Sequence, residues 1–159
     1  MLPIDKILCP VDLSSPSREA LSGALELAHM LDAKLYVLHV VVPFPVPIGG
    51  FGEIESDVAR IESERQHLAQ RAVTELVNGI SADFPVATRT MVLVGETVDK
   101  ILEVVSREEI GMIVMSTHGQ TGLRHWLIGS ITDKIIRTSS CPVLTIHPNA
   151  SPKASQQNT

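Results

Sequence analysis

Short apolar runs alternate along the chain with longer segments whose apolar residues recur at helical spacing. The runs within residues 4–12, 34–42 and 112–115 are of the kind found in strands buried on both faces of a sheet. Further strands are predicted over residues 86–94 and 142–146, with helices in the segments between strands. The pattern therefore predicts five strands and four helices in alternation, which is typical of a doubly wound α/β fold.

The start of the first helix is predicted at Ser14-Ser15-Pro16, which combines a capping serine with a proline at the first helical position. Its apolar residues recur at helical spacing and would face the sheet: Leu21, Ala24, Leu25, Ala28 and Leu31. A helix that joins two buried strands forms a βαβ unit. The sheet is therefore expected to be parallel, with right-handed crossovers.

A long amphipathic helix is predicted over residues 53–82, after a loop at 43–52 that is rich in proline and glycine. The loop could cover a ligand or only tether the second strand to the helix. The inner stripe of this helix is predicted to consist of Ile54, Val58, Ile61, Leu68, Ala72, Leu76 and Ile80. In the third strand, threonines alternate with Ala87, Arg89 and Met91, which favours a position at the exposed edge of the sheet.

The composition fits a single aliphatic domain. The chain has 159 residues, of which 44% are hydrophobic but only 3% aromatic, so the core must be built from valine, isoleucine, leucine and alanine. Residues 148–159 are rich in serine, glutamine, asparagine and proline, which predicts a disordered C-terminal tail. The domain is therefore predicted to occupy residues 1–147.

A net charge of −5, with no basic run or stripe, argues against nucleic acid as a partner. The N-terminus shows no basic segment followed by an apolar one, and the longest apolar stretch, residues 35–48, is broken by His39 and three prolines. Neither secretion nor membrane insertion is therefore expected. Cys9 and Cys141 form no disulfide framework or metal cluster. These features predict a cytoplasmic protein whose thiols are reduced.

Residues 111–130 are the segment that most clearly indicates a binding site. An apolar strand is followed there by a polar loop and by a helix start at Gly129. The amides of a first helical turn are free to bind an anion, and the helix macrodipole favours negative charge there. Gly119, Gly122 and Gly129 would let the backbone approach a ligand closely. The alternative is an ordinary connection in which the glycines only permit a turn, but this loop is longer than such connections usually are.

The spacing of this loop, Ser116-x2-Gly119-x9-Gly129-Ser130, resembles the nucleotide loop of the universal stress protein family, usually written G-x2-G-x9-G-[ST]. In this chain Ser116 takes the place of the first family glycine. The resemblance implies a three-layer α/β sandwich, in which a five-stranded parallel sheet of order 3-2-1-4-5 carries two helices on each face. It also implies that ATP, accompanied by Mg²⁺, is the ligand.

In such a sheet a ligand binds outside the carboxyl ends of the strands, at the point where the strand order reverses. That rule selects the ends of strands one and four, where Pro10-Val11-Asp12 and Met115-Ser116 lie. Asp12 would then lie at the mouth of the crevice, where a carboxylate can accept hydrogen bonds from both hydroxyls of a ribose. The alternative is a turn or helix-capping aspartate, and the sequence leaves both open.

The resemblance also implies how the other site residues are used. Val40 matches a contact to adenine, and Met115 and Ser116 would lie against the ribose and the base. The phosphates would meet the glycine loop and the helix start, which contribute His118, Gly119, Gly122, Gly129, Ser130 and Ile131.

Other candidate chemistry is weaker. His118 and His125 have no third ligand at metal spacing, and His39 on an apolar strand is interpreted as a core histidine with its hydrogen bonds satisfied. Ser130 lacks the G-x-S-x-G context of a nucleophile, and neither a Walker A nor a Rossmann glycine motif is present. A non-enzyme is therefore expected, although slow ATP hydrolysis would be compatible with the sequence.

The residues and the resemblance together predict a small ATP-binding stress-response protein that acts on a regulatory protein partner as a nucleotide-dependent switch. The family usually dimerises through its last strand, so a homodimer is implied through residues 142–146, which Pro142 begins and Ile146 ends. The alternative is a nucleotide-free dimeric interaction module of the same fold, which is favoured by Ser116 in place of the glycine.

Overall fold

The computed structural model describes residues 4–43, 52–81, 84–117 and 128–147. In this part of the chain five strands and four helices alternate in the predicted order, and the strands and the long second helix end within two residues of their predicted bounds. The elements are β1 Lys6–Pro10, α1 Ser15–Leu31, β2 Lys34–Val41, α2 Gly52–Ile80, β3 Thr88–Val94, α3 Thr97–Arg107, β4 Met112–Ser116, α4 Ser130–Thr138 and β5 Val143–Ile146.

β1 lies at the centre of a five-stranded sheet with the order β3-β2-β1-β4-β5. All four neighbouring pairs are parallel, so the predicted sheet is confirmed. The strand β3 is at one edge, as its alternating polar residues predicted, and β5 is at the other. Because β2 and β3 follow on one side of β1 while β4 and β5 lie on the other, the strand order reverses between β1 and β4.

Two aliphatic layers hold the helices against the sheet. The first layer lies beneath α1 and α2 and includes Ile7, Leu21, Leu25, Val37, Val73 and Leu76. The second layer lies beneath α3 and α4 and includes Leu8, Leu38, Ile101, Val104, Ile113 and Ile135. Neighbouring residues of one strand belong to different layers because successive side chains point to opposite faces. The predicted three-layer sandwich with two helices on each face is therefore confirmed.

The start of α1 forms as the serine and proline residues predict. Ser14 is the N-cap, with extended backbone angles (φ −72°, ψ 164°), and its hydroxyl accepts a hydrogen bond of 3.3 Å from the backbone N–H of Ser17. Pro16 occupies the second helical position rather than the first. Because a proline in the first turn removes no intrahelical hydrogen bond, either position is tolerated.

The predicted inner stripe of α2 is wrong at Ile61 and Leu68. Ile61 is 42% exposed and Leu68 is 61% exposed, whereas Val73, Leu76 and Val77 are buried. A helix of 29 residues is about 43 Å long, while the eight-residue strand β2 spans only about 26 Å, so α2 is too long to pack against the sheet along its whole length. Neither α2 nor any other helix in the described ranges is long and apolar enough to cross a membrane.

The two cysteines are free, and their surroundings differ. Cys9 is completely buried in β1, and this burial raises the pKa of its thiol to about 12. Cys141 is partly buried beside Ser139, whose hydroxyl donates a hydrogen bond of 3.1 Å to the Cys141 carbonyl. A thiol that stays protonated and out of reach of solvent is a poor nucleophile, so Cys9 contributes packing rather than redox chemistry.

Candidate functional site

A cleft of about 300 Å³ opens at the carboxyl ends of β1 and β4, where the strand order reverses. It brings together nine of the predicted site residues: Pro10, Val11, Asp12, Val40, Met115, Ser116, Gly129, Ser130 and Ile131. The predicted loop residues His118, Gly119 and Gly122 lie outside the described residues. The cleft is also lined by five residues that the sequence pattern did not assign to it: Ser17, His39, Thr97, Ile101 and Thr132.

Asp12 acts in the turn before α1, which is one of the two roles that the sequence left open. Its Oδ1 accepts a hydrogen bond of 3.0 Å from the backbone N–H of Ser14 and a second, short one from the Ser14 hydroxyl. Between these residues Leu13 has a positive φ of 66°, which is uncommon for a residue with a side chain. The carboxylate therefore stabilises the turn into α1, and it also lines the cleft.

The backbone just before Asp12 is held by two hydrogen bonds between Val11 and β2. The Val11 N–H donates to the Leu38 carbonyl (2.8 Å), and Nδ1 of His39 lies 2.8 Å from the Val11 carbonyl oxygen. A carbonyl oxygen can only accept, so Nδ1 of His39 must carry the proton. His39 is half-buried, and its hydrogen bond through Nδ1 holds the end of β1 in position.

The start of α4 faces the cleft without a side-chain cap. Gly129 is the N-cap residue and forms no side-chain hydrogen bond to the first turn. Its N–H donates to the Thr117 carbonyl (2.8 Å), and the buried hydroxyl of Thr132 donates to the Ser116 carbonyl (3.0 Å), so the helix start is tied to the end of β4. The first-turn amides have no carbonyl partner within their own helix, which leaves them available for an anion.

The start of α3, on the other side of the cleft, carries negatively charged side chains, unlike the start of α4 with its free amides. Its N-cap Glu96 accepts hydrogen bonds with one carboxylate oxygen from the N–H groups of Val98 (2.8 Å) and Asp99 (3.2 Å). Asp99 adds a second carboxylate in the same turn. Because these carboxylates repel a further anion, the start of α4 is the more favourable end of the cleft for negative charge and the start of α3 is the less favourable one.

Ser116 is 8% exposed at the end of β4. Val114 belongs to the layer beneath α1, and Met115 to the layer beneath α3 and α4. Strand alternation therefore places the Ser116 side chain on the α1 side of the sheet, away from the apolar face that Met115 forms. The serine hydroxymethyl group does not project toward α3 and α4.

The missed residues come mainly from helices α1, α3 and α4. Thr97 and Ile101 lie four residues apart on α3 and so share one face of it, and Ser17 and Thr132 belong to the first turns of α1 and α4. In a parallel sheet every following helix starts at the same edge as the cleft, which is the signal that could have found them. Within the described residues, no group of three or more histidine, cysteine or acidic side chains could hold a metal ion.

The fold and the cleft define an α/β domain with an open cleft at its topological switch point. The chain belongs to the universal stress protein family, whose sequence profile matches residues 3–147. A universal stress protein of Methanocaldococcus jannaschii is 31% identical, over 89% of this chain and 81% of the relative. Universal stress protein A homolog 1 of Coxiella burnetii is 33% identical, over 88% of this chain and 94% of the relative.

Solved structures of the family share the fold. Universal stress protein UspA from Lactobacillus plantarum superposes with a TM-score of 0.72 at 24% identity, covering 92% of this chain and 99% of the other. A universal stress protein in complex with cAMP gives a TM-score of 0.65 at 20% identity, covering 92% and 98%. A family member from Arabidopsis thaliana with AMP bound gives 0.61 at 22% identity, covering 95% and 97%.

Proposed function

We propose that the chain binds an adenine nucleotide, ATP with Mg²⁺, in the cleft at the ends of β1 and β4. The observation that carries the proposal is the convergence of nine predicted nucleotide-site residues on this one cleft. In this arrangement the phosphates meet the start of α4 at Gly129 and Ser130, the ribose hydroxyls face Asp12, and the base lies against Val40 and Met115. The cleft volume of about 300 Å³ lies at the lower end of the range for small-molecule sites.

The polarity of the cleft supports this orientation of the nucleotide. Free amides at the start of α4 attract phosphate, whereas the Glu96 cap and Asp99 at the start of α3 repel it. The described cleft residues offer a single carboxylate, that of Asp12, so Mg²⁺ would arrive coordinated mainly by the phosphates and water. Relatives solved with AMP and with cAMP bound support an adenine nucleotide as the ligand class.

We infer that binding serves regulation in a stress response rather than turnover. Asp12 and His39 are the titratable side chains among the described cleft residues, and each is engaged in a local hydrogen bond that positions backbone. ATP would join the ends of β1 and β4 to the start of α4, and a partner protein that distinguishes bound from free forms would then sense the nucleotide. A ligand shifts such an equilibrium only through its different affinity for the two forms.

Mass spectrometry of the purified protein, denatured to release small molecules, tests nucleotide binding directly. ATP or ADP released at about one per chain supports the proposal. A protein that is empty and also fails to bind added Mg-ATP in calorimetry would contradict it. That result would favour the alternative, a nucleotide-free interaction module, for which the specific observation is Ser116 in place of the first family glycine.

Substituting Ser116→Gly is expected to change ATP affinity by less than about threefold, because the serine side chain lies on the α1 side of the sheet. Loss of strand stability of about 0.5–1 kcal/mol is expected from the added backbone freedom. Calorimetry with ATP and thermal unfolding measure the two effects. The neighbouring variant Met115→Ala, which alters the apolar face, should weaken ATP binding more. A gain of tenfold or more in Ser116→Gly would show that the serine obstructs the nucleotide.

We also propose that two copies of the chain associate through β5. Among the described residues this strand pairs only with β4, and Leu144 is 42% exposed on it. An unpaired apolar edge strand is a template for pairing with another chain, which here would be a second copy. The resulting interface would continue the sheet across both protomers.

Leu144→Lys is expected to convert the dimer to a monomer, since a lysine on an edge strand opposes edge-to-edge pairing. Light scattering after gel filtration measures the mass of the species. The matched control is Leu68→Lys, which places the same charge on an exposed leucine of α2 and should leave the dimer intact. A wild-type monomer, or a Leu144→Lys protein that remains dimeric, would contradict association through β5.

A further inference from the structure

One wall of the cleft is formed by a single face of α3. Thr97 and Ile101 lie four residues apart on this helix, and both line the cleft. Ile101 is buried in the layer that also contains Met115 and contacts Val40, so it continues the apolar floor. Thr97 is partly buried in the first turn and adds a hydroxyl above that floor.

The Thr97 hydroxyl is available to a ligand. Two other hydroxyls of the cleft are engaged: that of Ser17 donates to the Ser14 carbonyl (3.0 Å), and that of Thr132 donates to the Ser116 carbonyl (3.0 Å). Thr97 has no hydrogen bond through its side chain to any described residue, and it is not needed as a cap because Glu96 caps α3. A partly buried hydroxyl without a protein partner gains most from a ligand that supplies one.

The position of Thr97 selects the part of the ligand that it meets. The turn between β3 and α3 is tied to the end of β2 by a hydrogen bond of 3.1 Å from the Gly95 N–H to the Val41 carbonyl. Thr97 therefore lies beside the end of β2, while α4 lies across β1 from it. With the phosphates at α4 and the ribose at Asp12, the base is the part that reaches α3.

We propose that Thr97 is a specificity-determining residue, whose hydroxyl accepts a hydrogen bond from the 6-amino group of the adenine base. The proposal rests on the proposed function and assigns its base-recognition contact. The side chains of Val40, Ile101 and Met115 provide apolar area that any purine can cover, so these side chains cannot require a polar atom on the base. The Thr97 hydroxyl can require a polar atom on the base. A base without a hydrogen-bonding group at this position would leave the partly buried hydroxyl unpaired.

A cycle of one side-chain change and one ligand change tests this contact. Calorimetry compares ATP with purine riboside 5′-triphosphate, which carries hydrogen in place of the 6-amino group, on the wild-type protein and on Thr97→Val. Valine keeps the branched shape of threonine and replaces the hydroxyl with a methyl group. Thr74→Val on α2 is the control, since Thr74 is exposed and bonds within its own helix, to the Gln70 carbonyl (2.8 Å).

Wild-type protein and Thr74→Val should both bind ATP about three- to tenfold more tightly than purine riboside 5′-triphosphate, as expected for one neutral hydrogen bond. Thr97→Val should bind the two ligands equally, with its loss confined to ATP. An unchanged preference in Thr97→Val, or an equal loss for both ligands, would overturn the role of Thr97 while leaving nucleotide binding established. Wild-type protein that binds neither ligand would overturn the proposed function and this inference together.

Discussion

ATP binding is expected to be abolished when Gly129 is replaced by valine, while the fold is retained. Gly129 is the N-cap of α4 and lies beside the amides that the phosphates would contact. Because glycine has no side chain, it does not separate the phosphates from these amides. Valine would place two methyl groups there. If two charge-assisted hydrogen bonds of about 1.5–3 kcal/mol each are lost, the affinity should fall by more than about 100-fold. Calorimetry with Mg-ATP measures this loss.

The fold should survive because Gly129 does not use the conformational freedom of glycine. Its backbone angles, φ −58° and ψ 147°, are ones that valine adopts readily. Its N–H bond to Thr117 and the bond that its carbonyl accepts from the Asp133 N–H (2.9 Å) involve only backbone atoms. Thermal unfolding within a few degrees of wild type is therefore expected.

Two further variants separate a specific effect at Gly129 from a general effect of added bulk. Gly79→Val adds the same side chain to α2, where an added Cβ would meet nothing within 4 Å, and should leave ATP affinity unchanged. Gly129→Ala adds one carbon and should give an intermediate loss. Unchanged ATP affinity in Gly129→Val, with the protein folded, would count against the phosphate position proposed at α4.

The elements of the fold could be predicted because their signals are local. The apolar run around Ile7 needs no partner to be recognised as a buried strand, and the Ser14-Ser15-Pro16 sequence marks the start of α1 by capping chemistry alone. The burial of α2 was harder to predict. Ile61 and Leu68 have the spacing of a buried stripe, but their exposure depends on how far the sheet extends beneath the helix, which is a tertiary property.

The site shows the same division between local and non-local information. Asp12 and Gly129 could be found because each directly follows a strand or starts a helix in a recognisable pattern. Thr97 was harder to identify: the start of α3 is expected at the same edge of the sheet as the cleft, but its place in the cleft also depends on β3 lying next to β2 and on the hydrogen bond between Gly95 and Val41. No spacing within the sequence near Thr97 reports that neighbour. A sequence motif therefore locates the end of the cleft at α4 better than the end at α3.

Asp12→Ala is expected to weaken the binding of AMP and ATP alike, by roughly 1.5–3 kcal/mol or about 10- to 150-fold, because the carboxylate would accept hydrogen bonds from the ribose that both ligands share. The same change also removes the acceptor for the Ser14 N–H and hydroxyl, so it should lower the stability of the turn at Leu13. A loss of affinity in this variant alone would therefore not separate ligand binding from turn formation.

Asp12→Asn separates the two roles. The amide oxygen of asparagine can still accept hydrogen bonds from the Ser14 N–H and hydroxyl. Its amide nitrogen, which can only donate, then takes the place of the second carboxylate oxygen. Unfolding should then stay near wild type while affinity for both nucleotides falls. 2′-Deoxy-ATP should bind wild-type protein more weakly than ATP, and Asp12→Asn should no longer distinguish them. Asp57→Asn, on the exposed face of α2, is the matched control and should change neither property. If Asp12→Asn weakened ATP but not AMP, Asp12 would act on the phosphates or their metal ion rather than on the ribose.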